Sequence, residues 1–162
     1  MTKKVSSYKS LVAIKMRGTI SAKREARETL DMLKMKKTHN AVIIDDRPSF
    51  VGMLYRVQNY VTWGEVTKEI LSEMIKKRGR LVGNKKFTDD YAKELGYESI
   101  DEIANAIVEG KVEYSKLNKV RSVFRLHPPK KGFKGKTKKS FATGGEAGYR
   151  SEKINDLIKR MI

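Results

Sequence analysis

Apolar and polar positions fall into two alternating rhythms along the first third of the chain. Leu11, Val12, Ala13 and Ile14 form a compact apolar run between Lys9 and Lys15, which predicts a strand over residues 11–16. Gly18 ends it. Ala22, Ala26, Leu30 and Leu33 then recur at helical spacing, with Ser21 as the expected N-cap. Lys23, Arg24, Arg27 and Lys34 fall on the opposite face of that helix. The β-branched run at 41–44 predicts a second strand, and Asp45-Asp46-Arg47-Pro48 stops it. Pro48 suits the first turn of a second helix, whose apolar positions are Phe50, Val51, Met53, Leu54 and Val57. Residues 60–66 predict a third strand. The order is β-α-β-α-β. Connections of this kind put two helices on one face of a small three-stranded sheet and leave the other face free.

Beyond Val66 the rhythm turns helical. Thr67 precedes a helix marked by Ile70, Leu71, Met74 and Ile75, and Thr88 precedes a short one closed by Gly96. Ser99-Ile100-Asp101-Glu102 has the capping-box pattern, with Ile103, Ala106 and Ile107 behind it. Residues 120–126 alternate basic and apolar, which predicts another strand, ended by Pro128-Pro129. Residues 130–150 read as a glycine-rich basic loop. Ser151 then caps a last helix with Ile154, Leu157, Ile158 and Met161 on one stripe. The expected class is α+β. It divides into a β-α-β-α-β core at 1–66, a helical extension at 67–115, and a basic strand, loop and helix at 116–162.

Charge changes the picture from fold to partner. The chain has 36 basic and 19 acidic residues among 162, a net charge of +17. Residues 116–141 hold ten cations and no acid. The first 24 residues repeat this, with Lys3, Lys4, Lys9, Lys15, Arg17, Lys23 and Arg24 unopposed. Such self-repulsion gains no folding energy, and a polyanion relieves it by releasing counterions. With 39% hydrophobic residues the chain can still bury a core, unlike a disordered basic tail. It contains no cysteine, which excludes disulfides, thiolate metal sites and a cysteine nucleophile. No apolar run reaches bilayer length and no signal-type segment opens the chain, so a cytoplasmic protein is expected.

Several motifs imitate chemistry. Gly132-Phe133-Lys134-Gly135-Lys136-Thr137 ends like a phosphate-binding P-loop, but Lys130 stands where the first glycine belongs and no apolar helix follows. In Gly144-Gly145-Glu146-Ala147-Gly148, Glu146 occupies the second glycine slot of the dinucleotide fingerprint. Asp45-Asp46 and Asp89-Asp90 sit at turns and helix starts, where capping explains them. His39 and His127 are too few for a metal site. No nucleophile–base–orienter set is present, and no enzyme, cofactor or metal is expected.

The cations and aromatics do form a coherent candidate surface. Lys36-Lys37-Thr38-His39-Asn40 joins a helix end to a strand with groups that contact phosphate or sugar. The expected RNA contacts are Lys15, Arg17, Lys23, Arg24, Arg27, Lys36, Lys37, His39, Asn40, Arg47 and Arg56. Lys130, Lys131, Lys134, Lys136, Lys138, Lys139 and Arg150 extend them, with Phe133, Phe141 and Tyr149 as stacking anchors. Any one charge run is as readily a solvated face as a contact. The loop is expected to lack the apolar content to pack by itself, so that its order depends on RNA.

The ordered segments resemble the large-subunit ribosomal protein L-thirty family, whose eukaryotic relative is called L-seven. The resemblance starts at Leu11 and runs through Thr29-Leu30, Leu33-Lys34-Met35-Lys36-Lys37, His39-Asn40, Asp46, Pro48, Gly52-Met53, Val57 and Tyr60-Val61. Short bacterial members stop near Val66. This chain continues as the longer members do, through Lys77-Arg78-Gly79, Ser99-Ile100-Asp101-Glu102, Phe124-Arg125-Leu126, Gly144-Gly145, Tyr149-Arg150, Ile154-Asn155 and Leu157-Ile158. Only a short basic stretch precedes the first predicted strand, which points to the archaeal type. Lys34 replaces the glycine of the bacterial pattern. The resemblance implies a reduced ferredoxin-like fold. It also implies a structural role in the large ribosomal subunit of the cytoplasm, binding ribosomal RNA beside neighbouring ribosomal proteins. The alternative reading is a basic DNA-binding or chromatin-type protein. It would call for an isolated recognition helix or a two-fold dimer, and neither is evident.

Overall fold

The computed structural model describes residues 8–162; Lys3 and Lys4 lie outside the described residues. Strands β1 (Ser10–Lys15), β2 (Asn40–Asp45) and β3 (Val61–Glu65) alternate with helices α1 (Arg24–Met32) and α2 (Pro48–Arg56). Helices α3 (Lys68–Arg78), α4 (Asp89–Glu94) and α5 (Ile100–Val108) follow. The chain then returns to the sheet twice, as β4 (Val123–Arg125) and β5 (Gly148–Tyr149), and ends in α6 (Ile154–Met161). The class is α+β, as expected, but among the described residues the sheet has five strands rather than three, in the order β4-β2-β1-β3-β5. All neighbours are antiparallel except β3 and β5.

The strand expected over 120–126 shrinks to three residues, because Val120 bridges instead to Leu81. Ser21 does not cap α1: the N-cap position is Lys23, without a side-chain bond. Ser99 does cap α5, accepting from the Glu102 amide. Ser151 opens a 3-10 turn at positive φ, and α6 begins only at Ile154.

Neither face of the sheet is free. Alternation along β1 sends Leu11 and Ala13 to one side, where Ala26 and Leu30 of α1 and Leu54 of α2 cover them. Val12 and Ile14 point the other way, joined by Ala41 and Ile43 of β2. Ile70, Leu71, Met74 and Ile75 of α3, Ile103 and Ile107 of α5, and Ile154, Leu157 and Ile158 of α6 close over them. A two-stripe strand of this kind needs an unbroken apolar run, which Leu11–Ile14 supplies. At the seam between β2 and β4, Tyr114 stacks on Phe124 at 4.9 Å, and burial pushes the Tyr114 phenol pKa up.

The segment from 130 to 150 is more ordered than its composition implies. Its acid, Glu146, is buried and pairs with buried Arg150 at 2.7 Å. Glu146 Oε1 also accepts from the Gly135 amide at 2.8 Å, so one carboxylate ties three parts of the loop together. Arg150 Nε donates to Thr62 Oγ1 at 2.7 Å, fastening the loop to β3. Gly145 passes so close to Lys139 that a Cβ there would meet its carbonyl oxygen at 2.1 Å. Polar bonds and close backbone packing replace the apolar content this segment lacks.

Candidate nucleic-acid interface

Strand polarity sorts the charges. Because β1 runs antiparallel to β2 and β3, the end of β1 lies beside the starts of its two neighbours: Ile14 faces Ala41, and Lys15 faces Val61. Asn40 faces Arg125, so β4 finishes at the same end. β5 starts there too, with Gly148 opposite Thr62. Arg17, Lys36, Lys37, His39 and Arg125 therefore gather at one end of the sheet. The lysine-bearing segment between β4 and β5 leaves from and returns to that same end. At the opposite end stand Asp45, Asp46 and Glu65, where Ser10 faces Asp45 and Leu11 faces Glu65. Exposed cations dominate the first end, whereas at the second acids and cations are mixed, with Lys9 and Arg47 beside Asp46 and Asp45.

At the basic end, Lys36, Lys37, Lys130, Lys131, Lys134, Lys136, Lys138 and Lys139 are all exposed. None makes an ion pair among the described residues. Arg17 is half-buried, with its guanidinium 5.1 Å from the Tyr60 ring centre and a bond to the Asn59 carbonyl. His39 sits at positive φ, half-buried, its ring stacked 6.3 Å from Phe133. Burial, and then the charge of His127, lower the His39 pKa. Its Nδ1 has no partner among the described residues. Lys23, Arg24 and Arg27 are exposed on α1, though Arg24 pairs with Glu28 at 2.6 Å. A pair this exposed holds its arginine only weakly. Arg56 is exposed at the end of α2.

Six expected contacts are engaged within the protein. Lys15 is 3% exposed, and its Nζ donates to the Lys36 carbonyl at 2.8 Å; burial lowers its pKa. It closes the turn that presents Lys36 instead of facing solvent. Asn40 is buried within β2. Arg47 lies at the second end, bonded to Asp45 at 2.6 Å and to Glu113, and those hydrogen bonds raise its pKa. Arg150 is 5% exposed, and burial lowers its pKa against the opposing pull of Glu146. Its guanidinium lies 5.0 Å over the ring of Phe141, which is half-buried as the lid of this internal pair. Phe133, also half-buried, packs on the core beside His39. Of the three aromatic anchors only Tyr149 is exposed, and its hydroxyl donates to Glu65 at 2.6 Å.

One cluster of cations does not stand out in the sequence. Arg78, Arg80, Arg121 and Arg125 line a single cavity beside β4. The spacings Arg78-x-Arg80 and Arg121-x-x-x-Arg125 are visible in the sequence, but only the fold joins them.

The sequence profile described as ribosomal protein L30p/L7e matches residues 11–61, from Leu11 in β1 through α1, β2 and α2 to the start of β3. The large ribosomal subunit protein uL30 of Archaeoglobus fulgidus is 46% identical over 149 residues, spanning 91% of this chain and 97% of its own. Those of Methanopyrus kandleri and Methanobrevibacter smithii are 44% and 43% identical, covering 91% and 93% of this chain and 100% and 99% of theirs. This chain belongs to the L30p/L7e family.

L30p/L7e proteins are structural, not enzymatic. Membership gives this chain a structural ribosomal role in the cytoplasmic ribosome, of the archaeal type that the resemblance implied. Among the described residues, no helix is long and apolar enough to cross a membrane.

Proposed function

We propose that this L30p/L7e chain binds large-subunit ribosomal RNA through the basic end of its sheet and so helps the subunit assemble. The observation that carries this reading is the sorting of charge: unpaired, exposed lysines collect at one end of the sheet, while Asp45, Asp46 and Glu65 stand at the other and the one acid near the basic end, Glu146, is buried against Arg150. A polyanion docking at the basic end gains counterion release without meeting Asp45, Asp46 or Glu65. Lys36, Lys37, Arg17 and the lysines of 130–139 supply phosphate contacts, with Lys23, Arg27 and Arg56 flanking them. Residues 1–66 form the RNA-binding core. The extension at 67–115 covers its second face together with α6, and the segment at 116–162 also adds the basic loop.

The test is equilibrium binding to large-subunit RNA over a salt series. Affinity is expected to fall steeply, along a straight line of log affinity against log salt. A structured RNA fragment is expected to outcompete duplex DNA of equal length. A flat salt plot, or equal competition by DNA, would count against the reading.

A further inference from the structure

Four arginines without an acid among them form a concavity at the outer edge of the sheet. The cavity, about 220 Å³, is lined by Arg78, Arg80, Asn84, Arg121, Val123 and Arg125. We propose that it is a built phosphate site, holding closely spaced backbone phosphates of a sharply bent RNA strand. The proposal rests on the RNA-binding reading above and adds to it a place and a mode of contact.

Composition argues first. Of the 36 basic residues, 11 are arginine. Four of those 11 line this one cavity, and among the described residues no lysine does. Arginine is the residue suited to this task, because its planar fork meets phosphate oxygens with two parallel bonds where an ammonium offers a point charge.

Rigidity argues next. Arg78 is the last residue of α3, and Arg80 bridges to Lys86. The Arg121 amide donates to the Arg80 carbonyl at 2.8 Å, and Leu81 bridges Val120. Arg125 is fixed in β4 opposite Asn40. Backbone hydrogen bonds therefore hold the side-chain roots in place. None of the four forms an ion pair among the described residues. Their mutual repulsion goes unrelieved until an anion enters.

The lining also selects the ligand. It has no aromatic ring on which a base could stack, and Val123 is its one apolar side chain. Four planar forks and no aromatic platform match phosphate oxygens better than base faces. Arg125 stands both in this lining and at the basic end of the sheet, so a strand crossing that end can run on into the cavity.

The experiment uses the full chain with Arg80→Gln and Arg121→Gln combined, and a second variant with Lys at both positions. For the Gln variant the slope of log affinity for large-subunit RNA against log salt is expected to be shallower by about two. The Lys variant is expected to keep most of that slope but to bind more weakly than wild type, because the fork is gone. Inorganic pyrophosphate is expected to raise the melting temperature of wild type and not of the Gln variant. Without RNA, at low salt, the Gln variant is expected to melt no lower than wild type. A lower melting temperature would make the arginines structural and overturn the proposal. A lost pyrophosphate response with an unchanged RNA slope would show a site for free anions and would also overturn it. Wild-type protein that fails to bind RNA would sink the underlying reading and this one together. Wild-type binding with an unaltered slope in the Gln variant would sink this one alone.

Discussion

Burying Glu146 beside Arg150 strips both ions of water, and the pair repays that cost only because each also bonds elsewhere. Glu146 holds the Gly135 amide, and Arg150 holds Thr62 and the Glu146 carbonyl. Removing one partner leaves the other charged and uncompensated. Glu146→Gln is therefore expected to cost about 3–5 kcal/mol, read by denaturant unfolding. A loss within the noise of the measurement would mean that the loop is held by other contacts. His39 gives the second residue-scale prediction. Its folded pKa lies below the ordinary 6.5. Above pH 6.5 the ring is neutral in both states, and its contribution to stability is fully present. As pH falls below 6.5 the unfolded chain takes up the proton first, so stability declines toward the folded pKa. His39→Asn, which keeps a residue tolerant of positive φ, is expected to remove that part of the slope. Melting temperatures of both proteins between about pH 7 and pH 5 would show it, and parallel curves would refute it.

At the scale of the element, α1 separates packing from contact. Leu30 is 2% exposed under the sheet, while Arg24 and Arg27 stand on the outer side, and Lys36 and Lys37 on the exit turn. Leu30→Ala is expected to cost about 2–5 kcal/mol. Replacing Arg24, Arg27, Lys36 and Lys37 together by Gln is expected to weaken RNA binding and leave the unfolding midpoint near wild type. An unfolded quadruple variant would show those cations to be structural. The helices and first three strands were legible because their signals are local: apolar spacing, Pro48, the Ser99 box. β5 was not, since a two-residue strand in a glycine-rich loop has no periodicity to read. Lys15 and Arg150 looked like surface cations because burial of a charge depends on partners distant in sequence, Lys36 for one and Thr62 for the other. The free sheet face was a misreading with a visible signal. The runs Leu11–Ile14 and Ala41–Ile44 do not alternate, and a strand apolar at every position is one buried on both sides.

That two-sided burial decides how the whole molecule can be divided. Residues 1–66 contain β1, α1, β2, α2 and β3, and the family profile falls within them. Cut from the rest, this unit would still cover Leu11 and Ala13 with α1 and α2. It would expose Val12, Ile14, Ala41 and Ile43, which the intact chain buries to 7% or less under α3, α5 and α6. It would also open the outer edges of β2 and β3, where β4 and β5 now pair. A flat apolar face with two open edges is the arrangement that self-associates. The fragment 1–66 is therefore expected to associate or to lose fixed tertiary structure, while keeping the cations of its basic end. Adding residues 67–162 as a separate chain is expected to restore a monodisperse complex, because α3, α5 and α6 carry the missing half of the core. Sedimentation velocity and amide exchange on the two fragments, alone and mixed, would check this. A fragment 1–66 that is monomeric and strongly protected by itself would show that the first layer alone stabilises the fold. The second layer would then be an addition to the RNA-binding core and no part of what holds it together.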